Sequence, residues 1–276
     1  MMPLENLRLG LLQTALDWED AKANVARIDQ HIEALSSPVD LIVLPEMWAT
    51  GFTMRPKDYG MPWSNNQPVP HDAWPAPLRA MLRWAQFQNA AVVGSLACRL
   101  EGHAAAVNRC FFITPEGQIT QYDKRHTFTF AGEDQHYQAG RNRVEVQWRG
   151  WRILLQICYD LRFPVFSRNQ LQQPYDLAVY VANWPAVRSA AWSALLPARA
   201  IENQAYVAGV NRVGRDGNGI EHLGGTALFD PFGARLANAQ PNESQWVIAN
   251  CDAVALQTYR EKFPVLKDAD YFELKG

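Results

Sequence analysis

The chain opens with a short apolar run, Leu7 to Leu12, that predicts a strand. Ala21, Val25, Ile28, Ile32 and Leu35 then recur at alternating steps of four and three, which puts them on one face of a helix ended by Ser36-Ser37-Pro38. Leu41-Ile42-Val43-Leu44 is apolar without interruption between Asp40 and Pro45, the pattern of a strand covered on both faces. The opening is therefore β-α-β. From Gly51 to Pro77 the chain is rich in Pro, Asn, Asp and Gly and predicts a long loop, after which Leu78, Met81, Leu82 and Ala85 restore a helical rhythm. Ala91 to Leu96 and Cys110 to Thr114 predict strands, and Pro115-Glu116-Gly117 predicts the turn into a second arm, Gln118 to Tyr122. Another hairpin is expected from Val144 to Trp148 and Arg152 to Ile157 around Arg149-Gly150. Leu177 to Val181 is a buried strand, and Ser189 to Gln204 predicts a helix kinked near Pro197. Ala205 to Val210, Thr226 to Phe229 and Gln245 to Asn250 complete the strands, with Asp230-Pro231-Phe232-Gly233 as a turn.

Strands and helices interleave with no repeat and no low-complexity segment. The economical arrangement is one α/β domain over residues 1–276, with a core at about 5–252, a C-terminal extension at 253–276 and at least eight strands. Periodicity does not decide whether its sheet is single or doubled. Composition adds limits rather than detail. Hydrophobic residues are 48% and charged residues 20% of the 276, as in a globular protein with a deep core. A net charge of −2 argues against the basic stripe of a nucleic-acid binder. Cysteines at 98, 110, 158 and 251 form no CxxC pair and no dense disulfide pattern, so a reducing cytoplasm is expected. No stretch reaches the roughly 18 apolar residues of a membrane span, and no signal-length apolar run opens the chain, so neither a membrane nor export is expected.

Candidate chemistry gathers where buried strands turn polar. Cys158 closes the run Leu154-Leu155-Gln156-Ile157 and is followed by Tyr159-Asp160-Leu161-Arg162-Phe163-Pro164, so a strand-to-helix turn there would lift its sulfur into a cleft as a nucleophile. A small buried thiol filling the core is the plainer alternative. Glu46 lies just past Leu41 to Pro45, where enclosure would raise its pKa and suit it to act as a base; a solvated loop acid or helix cap reads equally well. Lys124, after Gln121-Tyr122-Asp123, and Glu133, in Phe130-Ala131-Gly132-Glu133-Asp134, are anonymous in isolation. Jointly, a thiol, a lysine and two carboxylates supply what amide hydrolysis needs: a nucleophile, a base and a cation where negative charge develops.

Pro45-Glu46-Met47-Trp48, then Asp123-Lys124-Arg125-His126, then Ile157-Cys158-Tyr159-Asp160-Leu161-Arg162-Phe163-Pro164, in that order, resemble the nitrilase superfamily of carbon–nitrogen hydrolases. Ala182-Asn183-Trp184-Pro185 and the segment Arg199 to Asn203 are similar to its later stretches, so the resemblance spans Leu7 to about Asp252. Within the superfamily, Glu46 to Phe52 and Lys124 to Glu133 look like the omega-amidase branch. The resemblance implies a four-layer α-β-β-α sandwich, pairing of subunits through a helical face, and release of ammonia from short omega-amido dicarboxylates or α-keto amides. Phe128-Thr129-Phe130 is more aromatic than the branch leads one to expect and bears on acyl-chain preference.

On this resemblance Glu46 takes the proton of Cys158, Lys124 and the Tyr159 amide receive the oxyanion, a thioester forms, and Glu133 holds Lys124 or the substrate amide. Phe52 and Trp184 are expected to wall the pocket, with Arg125, His126, Arg162 and Tyr159 as further substrate contacts. A substrate carboxylate favours a guanidinium clamp, for which Arg55, Arg125, Arg162 and Arg188 are candidates the sequence does not separate. The histidines show no HxH or HExxH spacing, and no glycine motif for phosphate is present; Gly214 to Gly225 adjoin no phosphate-binding helix. No metal and no cofactor is therefore expected, and the partners are a small amide, water and a second copy of the chain. Competing readings are a nitrile or N-carbamoyl amine as substrate, a silent scaffold, and a redox sensor built on Cys158.

Overall fold

In the computed structural model, which describes residues 5–64, 70–100 and 106–273, strand alternation sorts the apolar side chains to two faces of two sheets. The first half carries β1 (Leu7–Gln13), α1 (Ala21–Ala34), β2 (Leu41–Val43), α2 (Pro56–Tyr59), β3 (Met61–Trp63), α3 (Ala76–Gln88), β4 (Ala91–Leu100), β5 (Ala106–Ile113) and β6 (Ile119–Asp123). The second carries α4 (Glu133–His136), β7 (Glu145–Trp148), β8 (Trp151–Ile157), α5 (Pro164–Ser167), β9 (Leu177–Ala182), α6 (Ser189–Asn203) and β10 (Tyr206–Asn211). It closes with β11 (Val213–Arg215), β12 (Glu221–Leu223), β13 (Ala227–Phe229), β14 (Arg235–Asn238), β15 (Gln245–Cys251) and α7 (Ala253–Lys262).

One sheet runs β15-β1-β2-β4-β5-β6, with β3 beside β4; the other runs β14-β13-β10-β9-β8-β7. β1 and β2 are parallel, as are β8, β9 and β10, which is the β-α-β logic of the opening repeated in the second sheet. Leu7, Leu9, Leu11, Val43 and Phe112 of the first sheet meet Ile153, Leu155, Val179, Val181 and Val210 of the second in one buried layer. The outer face of the first sheet, through Ile42, Val92 and Phe111, packs on Ile28 and Ile32 of α1 and Leu78 and Met81 of α3. Ala178, Tyr180 and Val207 on the outer face of the second pack on Trp192, Leu196 and Ala200 of α6. The architecture is the four-layer α-β-β-α sandwich.

Asp20 caps α1 by accepting the Ala23 amide at 2.9 Å, a local start signal for the predicted helix. α6 runs unbroken from Ser189 to Asn203 with Pro197 inside it. The expectation of a long loop from Gly51 to Pro77 is corrected. Met61-Pro62-Trp63 forms β3, parallel to Cys98–Leu100, and Pro56–Tyr59 a helical turn; residues 65–69 lie outside the described set. A proline at a sheet edge sacrifices no ladder bond on its solvent side, so composition alone misleads there. Beyond the predicted strands, Ala253 and Leu256 of α7 join the layer between the sheets.

Candidate active site

The ends of strands from both sheets converge on one buried cluster. Glu46 follows β2, Lys124 follows β6, Cys158 follows β8 and Asn183 follows β9. Two of the turns that deliver these groups leave the extended conformation abruptly: Met47, after Glu46, has φ +42°, and Cys158 itself has φ +44°. Left-handed backbone at a non-glycine residue costs on the order of 1 kcal/mol and persists only where the surroundings enforce it. Ser95 Oγ enforces the first, accepting the Met47 amide at 2.9 Å. Asp160 enforces the second: it is fully buried, and its Oδ2 accepts the Ile157 amide at 2.9 Å and the Tyr122 hydroxyl at 2.7 Å. From α6, the buried Arg199 donates twice to the Leu161 carbonyl, at 2.7 and 3.1 Å, and so pins the same turn.

Lys124 is the electrostatic centre. Its Nζ lies 2.9 Å from Glu46 Oε1 and 2.8 and 3.1 Å from the two oxygens of Glu133, and all three residues are buried. Asn108 Nδ2 bridges the carboxylates, 2.8 Å from Glu46 Oε1 and 3.2 Å from Glu133 Oε1. The Asn183 amide donates to Glu46 Oε2 at 2.8 Å, and the Phe128 amide donates to Glu133 Oε2 at 2.6 Å. Burial opposes the Lys124 ammonium, but Glu133 and Glu46 outweigh it and its pKa is raised. Burial also raises the Glu133 carboxyl above its ordinary value, against the pull of Lys124. The Cys158 thiol is pushed well up, first by burial and then by the nearby Glu46 carboxylate; Lys124 acts in the opposite sense. A thiol so placed holds its proton unless a base takes it.

Above this cluster opens a cavity of about 250 Å³. Cys158, Lys124 and Asn183 face it, with Phe52, Tyr159, Arg162 and Trp184 in its wall. The Phe52 ring lies 5.1 Å from Lys124 Nζ, within cation–π range. The structure does not bring Arg125 and His126 to this cavity. Arg125 Nη1 donates to the Gly140 carbonyl at 3.2 Å, and the His126 ring stacks on Phe163 at 3.8 Å with Nδ1 2.8 Å from Asp160 Oδ1. Adjacency to Lys124 in sequence does not carry over, because neighbouring side chains leave a strand end in different directions. A larger groove of about 1010 Å³, bordered by Arg55, Arg99 and His136, contains none of the four clustered groups.

Asn108, Asn183 and Asp160 escape notice as functional residues in the sequence, although each leaves a trace. Asn108 is a polar residue within the fully buried strand Ala106–Ile113, where an amide needs a specific partner. Asp216, Ile220 and His222, within the stretch Gly214 to Gly225, sit on the β11–β12 hairpin and enter the cavity wall. Cys98, Cys110 and Cys251 are buried and, like Cys158, free. Among the described residues, no three of His, Cys, Asp and Glu are grouped to hold a metal ion.

Residues 8–261 match the carbon-nitrogen hydrolase family. The chain is 46% identical to "Omega-amidase YafV" of Yersinia enterocolitica, over 98% of this chain and 100% of that protein. It is 29% identical to "2-oxoglutaramate amidase" of Bacillus subtilis, over 94% of this chain and 96% of that one. The crystal structure of XC1258 from Xanthomonas campestris, a CN-hydrolase superfamily protein with an arsenic adduct in its active site, superposes with a TM-score of 0.90 at 38% identity. It covers 99% of this chain and 100% of its own.

Proposed function

The chain belongs to the carbon–nitrogen hydrolase family, within the nitrilase superfamily, and hydrolyses amides, and from that premise we propose that it releases ammonia from the terminal amide of short omega-amido carboxylates such as α-ketoglutaramate. One observation carries the reading: a thiol on a left-handed turn, at the floor of a small cavity, beside an ammonium held between two buried carboxylates.

Glu46 takes the Cys158 proton as the sulfur attacks the amide carbon, and the carbonyl π pair becomes an oxyanion. Lys124 Nζ and the Tyr159 amide receive it; in the first turn of the 3₁₀ segment Cys158–Arg162 that amide has no partner within the helix. Glu46 returns the proton to nitrogen, the C–N bond breaks, and ammonia leaves a thioester on Cys158. Glu46 then deprotonates a water that attacks the thioester carbon, and the acid departs as the thiol is restored. Glu133 and Asn108 hold Lys124 and Glu46 in register and touch no reacting atom.

The same reading makes the protein a cytoplasmic homodimer. Ile201 of α6 and Phe263, just past α7, are exposed together with Phe232, whose ring lies 3.9 Å from that of Tyr259, an apolar surface suited to a second copy. The test is ammonia release from α-ketoglutaramate, glutamine, N-carbamoyl amines and nitriles, with Cys158→Ala as control. Faster turnover of a nitrile or carbamoyl amine than of every omega-amido acid would replace the substrate class; turnover surviving in Cys158→Ala would end the mechanism.

A further inference from the structure

We propose that Arg188 is the carboxylate clamp of this site: its guanidinium, held against Phe128 and Phe130, binds the acid group of the substrate at the end opposite the scissile amide. This rests on the amidohydrolase reading and adds to it the residue that selects an anionic acyl chain.

The four arginines left open by the sequence are separated by the structure. Arg55 is paired with Glu19 at 3.3 Å and Asp58 at 2.9 Å, and Arg125 is tied to Gly140 away from the cavity. Arg162 and Arg188 both line the cavity that holds Cys158, and among the described residues neither side chain is in an ion pair or hydrogen bond. A half-buried guanidinium without a counter-ion is an unfavourable arrangement that an anionic ligand relieves. Asp216, the carboxylate among the lining residues, is turned into its own hairpin, where Oδ1 accepts the Asn218 and Ile220 amides at 2.9 Å each.

Position then distinguishes the two. Arg162 lies on the turn that carries Cys158, over Trp184 at 5.0 Å, near the reacting end. Arg188 is at the rim, next to Val187, which is 86% exposed, and beside Phe130, which is 81% exposed. A linear substrate whose amide reaches Cys158 carries its acid toward that rim. The Arg188 Cζ is 5.2 Å from the Phe128 ring and 5.0 Å from the Phe130 ring. An aromatic ring offers a guanidinium no oxygen acceptor, so contact with Phe128 and Phe130 leaves the N–H donors of Arg188 for bidentate binding of a carboxylate. The aromatic pair Phe128 and Phe130, unusual in the sequence, thereby acquires a role: it orients the clamp without neutralising it.

The experiment measures kcat/KM for succinamate and for butyramide, its uncharged counterpart of equal carbon number, in the wild type, R188Q, R188K and R162Q. In R188Q the succinamate-to-butyramide ratio falls about a hundredfold, mainly through the KM of succinamate, and R188K recovers part of it. R162Q moves the ratio less than R188Q does. Because both amides are assayed on one preparation, a poorly folded variant does not mimic this result. A ratio unchanged in R188Q, a larger fall in R162Q, or a wild type that does not prefer succinamate over butyramide overturns the clamp while leaving the amidase reading intact. A wild type that releases ammonia from no amide brings down that reading, and the clamp with it.

Discussion

The floor and the rim of the cavity handle charge in opposite ways. At the floor, Glu46, Glu133 and Lys124 are buried and each charged group has a partner within 2.9 Å. At the rim, Arg188 is half-buried, rests against two aromatic rings and, among the described residues, forms no ion pair. The floor must hold its geometry before substrate arrives, because preorganised donors stabilise a developing charge best when they need not move. On the proposed reading the rim stays unsatisfied, because a recognition group already paired has little left to give a ligand.

The comparison breaks first at the thiol. Cys158→Ala is expected to cut ammonia release by at least about 10⁴-fold, as loss of a nucleophile does elsewhere, while circular dichroism stays native. Next, Lys124→Met leaves two buried carboxylates without a cation and should lower unfolding free energy in urea by about 3–5 kcal/mol. Arg188→Gln, at the rim, should change it by no more than about 0.5 kcal/mol. Equal losses for both would erase the distinction between floor and rim. Asp160→Asn turns an acceptor of four hydrogen bonds into a mixed donor and should cost about 2 kcal/mol of stability.

A pH titration sharpens the picture at the floor. Burial and Glu46 both oppose a negative charge on Cys158 and raise its pKa. Glu46→Gln removes the second cause, so the ultraviolet thiolate absorbance should rise at lower pH than in the wild type even as turnover disappears. A shift to higher pH would mean that Glu46 stabilises the thiolate rather than opposing it. The smallest effect is expected at Phe130→Leu, where loss of an exposed cation–π contact worth about 0.5–1 kcal/mol should raise the KM of succinamate about threefold.

Much of this was legible in the sequence, for a physical reason. Glu46 and Cys158 each follow an apolar run, and the abrupt change from buried strand to polar residue marks a strand end, the part of an α/β sheet where ligands collect; Lys124 follows the mixed strand Ile119–Asp123 and gains meaning only in the company of the other two. Glu133 shows no such boundary; it reaches Lys124 only because the chain turns through Gly132 at φ +74°. Arg125 and His126 borrowed significance from Lys124 and lost it once the strand end sent their side chains elsewhere. The partition of strands into two sheets was similarly hidden, because a parallel strand buried on both faces looks the same in either.

The segment from Phe128 to Glu133 carries both functions within six residues: its aromatic rings flank the rim arginine, and its last carboxylate, which accepts the Phe128 amide, grips the floor lysine. Retailoring the entrance for bulkier acyl groups by grafting a new loop here would therefore tug on the buried Lys124 ammonium to which the proposed reaction assigns the oxyanion. Engineers seeking a changed appetite in this protein would do better to rebuild the stretch of wall around Ile220, on its separate hairpin, and leave this segment of shared duty alone.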